Sequence, residues 1–476
     1  MKVEKSQFIT EKKPALKELL AALLEKYEYA SILATDSIGK SYSVSKTGTN
    51  IREDSVLCER GFVAKVYTDG EYAEYSFNEI SKDNIGEIVE NIAKKLVPMN
   101  GLLPECVRKS NLGTPDDSPI CFEKATEYEI DPDDVGDEKI IEMLTDIHEK
   151  GKALDERVLD VYTNCNYQRY TKLFLSKNRD MTQSVMWVCG MINVMVSEGD
   201  AIEEGYKPVS MLGGMEITRS LLAKLPEAFE SARIRLEAEE IVPGEYECIC
   251  EPDVTGMIVH EAFGHGVEMD MFVKDRALAQ QYVGKQVASE LITMHDGACT
   301  IPQVATYFFD DDGVLAHDTI VIEKGILKQG ICDAHSALSL NFEPTGNSRR
   351  QDLTRKAYTR MTNTIFEAGS STVEEMISSV KNGLLLCDAD SGMEDPKNWG
   401  IQLMVGLAKE IKDGKLTGKA YSHLVMTGYV PDLLKSISMI SDKIEAGGSG
   451  YCGKGYKEWV KVSDGGPYIK AKIRLG

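Results

Sequence analysis

Two histidines with a glutamate directly behind the first stand in "IVHEAFGHGVEMD", residues 258–270. Imidazole nitrogens are common ligands for divalent ions, and a carboxylate beside such a centre can take a proton from water. The familiar H-E-x-x-H pattern works because residues i and i+4 lie about 40° apart around a helix axis. Here Ala262, Phe263 and Gly264 separate Glu261 from His265, so the histidines are at i and i+5. Their angular separation grows to about 140°, too wide for both rings to reach one ion from a regular helix. Two remedies exist. A π-turn can widen the coil. Alternatively the helix ends between the histidines, and Gly264 and Gly266 bracket His265 as such a break needs. Either remedy brings His260 and His265 together, as a metal pair would require, and leaves the general-base role open to Glu261. The bland alternative is two packed or hydrogen-bonded histidines. Glu268 and Asp270 read first as exposed acids, and only second as ligands or as partners of ligands.

Two histidines leave a catalytic centre one protein ligand short. "GGSGYCGKGY", residues 447–456, surrounds Cys452 with glycines, so its backbone can approach another element closely. A lone cysteine is ordinarily structural. In this setting it can also supply a thiolate ligand. A thiol redox role is weaker, because "YCGK" has no C-x-x-C partner.

The elements that must position these residues can be read from periodicity. Residues 14–30 carry a helical stripe from Leu16 to Tyr27, with Pro14 suited to its first turn. Residues 61–77 read as a hairpin about Asp69-Gly70, and 84–97 as an amphipathic helix. A connecting region rich in Pro, Gly and acids follows Val97. Residues 137–150 read as a helix, 157–198 as long strands, and 226–240 as a helix entered through Pro226. From Val242 a strand leads into the histidine segment. Asp-Gly and Lys-Gly turns then punctuate several short strands in antiparallel meander order. Residues 371–383 read as a helix capped by Ser371 or Thr372 and stopped by Gly383. The fold class is α+β. The expected division is an N-terminal α+β domain at 1–110, a central α+β segment at 111–240, and a mainly antiparallel C-terminal domain at 241–476.

Bulk properties exclude other classes. With 476 residues, 42% hydrophobic and 27% charged, the composition is that of a globular protein. A net charge of -22 opposes phosphate binding, so nucleic acid is excluded as a partner. No stretch approaches the roughly 18 apolar residues of a membrane span, and the charged N-terminus lacks the apolar core of a signal peptide. Eleven scattered cysteines point to reduced thiols and a cytoplasmic setting.

Several ordered motifs together resemble the TldD/PmbA family of metallopeptidases, specifically its metal-bearing TldD branch. They are "HEAFGHGVEMD" (260–270), "VASELIT" (287–293), "DDDGV" with "VIEKGILK" (310–328), "PTGNSRRQD" (344–352), "RMTNT" (360–364) and "GGSGYCGKGY", with "GFVAKVYTDGEYAEYSFNEI" (61–80) extending the match. The resemblance implies His260, His265 and Cys452 as metal ligands and Glu261 as catalytic base. The implied ion is divalent, zinc first and iron second. It also implies a curved antiparallel sheet in the C-terminal part and peptide substrates that are unfolded or short. The implied assembly is a dimer, either of two copies or with a metal-free PmbA-like relative. The chain departs from the family's smaller or variable residues at Val267, Met269 and Tyr451, which bears on substrate choice. Arg349, Arg350 and Arg360 occupy motif positions and are candidates to grip a peptide's carboxylate or carbonyls. Their competing role is ion pairing with this acidic chain's own carboxylates. The alternative to hydrolysis is a non-catalytic peptide-binding subunit of a TldD/PmbA-type complex.

Overall fold

A computed structural model describes residues 1–53, 58–96, 113–455 and 458–476. The expected boundary at residue 110, most of the connecting region's first part, and Tyr456 of the cysteine motif lie outside the described residues.

One eight-stranded sheet organises the first half. Its strands run in the order Glu71–Phe77, Arg60–Thr68, Tyr29–Ser45, Val158–Ser176, Arg179–Glu198 and Ile120–Ala125. Gly48–Arg52 pairs with Tyr29–Ser45, and Ala201–Leu212 with Arg179–Glu198. Strands from 1–110 and 111–240 therefore share a single sheet. Helices supply its apolar cover. Leu16, Leu19 and Leu23 of helix Gln7–Leu24, with Ile88 and Ile92 of helix Ile85–Lys95, pack on Ile32, Ala64 and Leu173. Ile140, Leu144 and Ile147 of helix Asp137–Lys152, with Ala228 and Ala232 of helix Leu225–Glu237, pack on Val161, Val188 and Ile192. Along Tyr29–Ser45, Ala30, Ile32, Ala34, Tyr42 and Val44 take part in these cores, and alternation turns Leu33, Thr35 and Ser37 to the opposite face. That second face meets the C-terminal half, where Leu33 and Phe174 pack on Phe309.

The C-terminal half holds two six-stranded sheets. One runs Lys415–Tyr429, Gly400–Lys412, Asn382–Asp395, Gly244–Cys250, Ile469–Leu475 and Met439–Ile440. Met426 pairs with Leu475 and Thr427 with Arg474, so Lys415–Tyr429 and Ile469–Leu475 meet and the sheet curves closed. The other sheet contains Asn363–Phe366 beside Ser463–Gly466. Helix Pro252–Val259 lies on this second sheet. A Cβ at Gly256 would stand 2.9 Å from the Gly465 nitrogen, so the helix approaches as closely as glycine permits. No helix among the described residues is long and apolar enough to cross a membrane.

Some boundaries differ from expectation. The first helix starts at Gln7, because the Ser6 side chain accepts from the Ile9 amide and caps it there. Pro14 consequently lies inside the helix rather than in its first turn. The helix at Val373–Ser378 is capped by Thr372 in a box with Glu375, but Gly383 does not stop it. Gly383 belongs to strand Asn382–Asp395, where a Cβ would stand 2.1 Å from the Glu247 carbonyl oxygen, so it serves strand packing. The Asp69-Gly70 hairpin forms as expected, with both residues at positive φ and Thr68 paired with Glu71.

Candidate metal centre

Helix Pro252–Val259 delivers His260 at its end. The coil then widens to a π-turn over His260–Gly264 and tightens to a 3-10 turn over His265–Val267. The i to i+5 spacing forces this departure from the regular helix. Gly264 lets the turn pack against Met361, whose sulfur a Cβ there would meet at 2.1 Å. The two rings end 5.2 Å apart between centroids and nearly perpendicular, at 88°.

Cys452 comes from far along the chain on a two-stranded ribbon, Tyr451–Lys454 against Glu458–Lys461. One ligand atom each of His260, His265 and Cys452 lies within 4.8 Å of the others. The Cys452 sulfur is 3.4 Å from His265 Nε2. Arg360 fastens the ribbon by donating to the carbonyls of Cys452 (2.6 Å) and Glu458 (3.0 Å).

Electrostatics suit an ion held by a thiolate and two imidazoles. Burial would raise the Cys452 thiol, but His265 and His260 outweigh it and hold the pKa well below the ordinary value. Burial would lower His260, yet the neighbouring Cys452 raises it to about 9. His260 Nδ1 is buried without a hydrogen-bond partner among the described residues. An orphaned imidazole nitrogen beside a favoured thiolate is a donor set that fits a divalent ion.

Glu268 and Asp270 are not exposed acids. They are 1% and 5% exposed. Glu268 accepts from His265 Nδ1 at 3.1 Å and fixes that ring, the usual part of a carboxylate behind a ligating histidine. Lys454, two residues past Cys452, lies 3.1 Å from Glu268 and donates to Asp270 at 2.6 Å. Burial works against the charge on Glu268, but Lys454, His265 and Arg360 hold its pKa below the usual range.

Residues 243–474 match the model of the PmbA/TldA metallopeptidase C-terminal domain. A metalloprotease of Methanothermobacter thermautotrophicus is 25% identical over 465 residues, 96% of this chain and 97% of that one. By its C-terminal half the chain belongs with the PmbA/TldA metallopeptidases, and along nearly its whole length it is similar to a protein named as a metalloprotease. A zinc metalloprotease TldD homolog of Saccharolobus solfataricus is 27% identical over 343 residues, covering 71% of this chain and 74% of that one. The crystal structure of TldE from Thermococcus kodakarensis shares the fold, with a TM-score of 0.74 at 16% identity over 97% of this chain and 100% of that one.

The three motif arginines part company. Arg350 is buried and meets Glu74 at 3.4 Å and Asp311 at 3.8 Å. Arg360 is spent on the cysteine ribbon. Arg349 donates to the carbonyls of Met361 (2.8 Å) and Lys461 (2.6 Å) and has no carboxylate partner among the described residues. The structure also brings in two residues that the sequence reading did not single out. Strand Asn382–Asp395 crosses the histidine turn, and a Cβ at Gly392 would stand 2.6 Å from Glu261 Cγ. Two residues on, the buried Glu394 carboxylate faces the Gly266 backbone and has no side-chain hydrogen-bond partner among the described residues. Burial pushes Glu394 well above the usual carboxylate pKa. In sequence, "DADSGMED" resembles a solvated acidic stretch, so nothing local marks Gly392 or Glu394.

Proposed function

We propose that the protein is a metal-dependent hydrolase of unfolded or short peptides. The observation that carries this reading is the convergence of His260, His265 and Cys452, with Glu261 directly following the first. These three residues would hold the ion, and a thiolate with two imidazoles favours zinc. When bound, the ion supplies Lewis acidity toward a carbonyl oxygen and toward water. Glu261 takes the water's proton and returns it to the leaving amine. Glu268 keeps the His265 ring in place. The edge of the Ser391–Asp395 segment facing away from Gly400–Lys412 has no strand partner among the described residues. An extended peptide can add to such an edge through main-chain hydrogen bonds, which suits unfolded substrates.

We also place this chain in a dimer, with a second copy or a metal-free relative, and in the cytoplasm. The cysteines described are free thiols, which fits a reducing compartment. Mass in solution tests the assembly.

Hydrolysis is tested by incubating zinc-loaded and chelator-treated protein with a short unstructured peptide and identifying products by mass. Cleavage that disappears with the chelator and returns with zinc supports the reading. Intact peptide at full zinc occupancy contradicts it.

A further inference from the structure

Between the second face of the N-terminal sheet and the C-terminal half lies a cavity of about 90 Å³. Tyr170 and Trp187 line it from the sheet, and Tyr307, Arg349 and Lys461 from the other side. Its wall carries four cations, Lys172, Arg349, Arg350 and Lys461, against three carboxylates, Glu59, Asp310 and Asp311. In a chain of net charge -22 this is a local reversal of sign.

The commitments of these groups matter more than their number. Asp310 accepts from the backbone amides of Asp312, Val314 and Ser348. Asp311 takes Lys172 and the Arg350 amide, and Glu59 takes the Leu353 amide at 2.6 Å. Every wall carboxylate therefore has a donor. Two wall cations lack the converse. Lys461 is 5% exposed and donates only to the Ser449 carbonyl, at 2.8 Å, among its oxygen partners. Its ammonium otherwise meets the Cys189 thiol and lies over the Trp187 ring at 5.0 Å and the Tyr451 ring at 4.4 Å, with no carboxylate partner among the described residues. Arg349 gives its guanidinium to two carbonyls, one of them that of Lys461, and lies 5.7 Å from the Tyr307 ring centroid. Elsewhere cations at depth are matched, as Lys65 is by Asp312, Lys207 by Asp388 and Lys454 by Asp270. Carbonyls and ring faces do not neutralise a buried cation as a carboxylate does.

We propose that this cavity is a carboxylate-binding site, in which Lys461 and Arg349 receive the carboxylate of a peptide between aromatic walls. The carboxylate comes from a chain terminus or from an acidic side chain. The inference rests on the hydrolase reading only for the ligand being a peptide. The site adjoins the metal centre through the cysteine ribbon. Val460 pairs with Cys452, and Lys461 is the next residue. Strand spacings put the Lys461 backbone within about 10 Å of that of Cys452.

The test is calorimetric titration of metal-loaded protein with three forms of one short peptide: the free acid, its C-terminal amide, and the amide with an internal Glu. The parent should bind at least one acidic form about tenfold tighter than the plain amide, as a charge-assisted hydrogen bond requires. The form that gains identifies the source. Lys461→Met should remove the gain while metal content and affinity for the plain amide stay at parental values. Equal affinities in the parent, or a gain that survives in Lys461→Met, would overturn the site. If Lys461→Met does not fold, competition on the parent decides. Acetate must weaken the acidic peptide selectively, and equal effects on all three forms overturn the proposal. Discrimination without cleavage leaves this site standing and removes the hydrolase reading instead.

Discussion

Glu261 and His260 are adjacent in sequence but fail differently when replaced. Glu261→Gln preserves size and reach yet accepts no proton at neutral pH. Metal per chain should stay near the parent value while turnover falls by about 10²–10⁴. His260→Ala should lose metal and turnover together, because one imidazole and one thiolate remain. Metal content measured beside the rate separates the two outcomes. Full activity in metal-replete Glu261→Gln would move the base elsewhere. Glu268 is already committed to His265 and Lys454, so Glu394 becomes the next candidate. At this scale the spacing of His260 and His265 was legible, because a mismatch with the helical period has only a few geometric solutions. The burial of Glu268 and Asp270 was not. Their charge is balanced by Lys454, 184 residues from Asp270, and no local pattern announces so distant a partner.

The element that aims His260 is helix Pro252–Val259, and its seat is one glycine, a turn before the histidine. Gly256→Ala would put a Cβ 2.4 Å from Asp464 Oδ1 and 2.9 Å from the Gly465 amide. Backbone cannot yield as a side-chain tip can, so the variant should lose about 1–3 kcal/mol. It should also lose metal occupancy, because the helix is pushed off its sheet. Gly86→Ala is the control. Nothing lies within 4 Å of that position in helix Ile85–Lys95, and alanine there should be neutral or stabilising by up to about 1 kcal/mol. Thermal unfolding and metal analysis of both variants check the contrast. Helices with a clear stripe, such as Ile85–Lys95 and Asp137–Lys152, were readable because their apolar face meets one sheet. The misplaced stop at Gly383 shows where local signals mislead: glycine also marks close packing between strands.

Across the whole molecule, the polar sheet face meets the C-terminal half through buried and half-buried ionisable groups. Glu59 is one, accepting from the Leu353 amide. Burial raises its pKa from 4.5 to about 7, Lys172 opposing. Between these values the folded protein keeps a proton that the unfolded chain has released. The stability this contributes is fully present below pH 4.5 and is lost as pH rises through 7. Glu59→Gln should remove that slope, gaining on the order of 2 kcal/mol relative to the parent between pH 4.5 and pH 8. Denaturant unfolding at both pH values reads it directly. The shared sheet was hidden from sequence, since Tyr29–Ser45 pairs with Val158–Ser176 more than a hundred residues away. The arrival of Cys452 beside His260 was likewise carried by family motifs and not by any local pattern. That arrival is the central claim, and X-ray absorption at the zinc edge of the loaded protein tests it most directly. The account predicts one zinc per chain with a single sulfur at about 2.3 Å and two imidazole nitrogens at about 2.0–2.1 Å. A spectrum without sulfur, unchanged in Cys452→Ser, would contradict it.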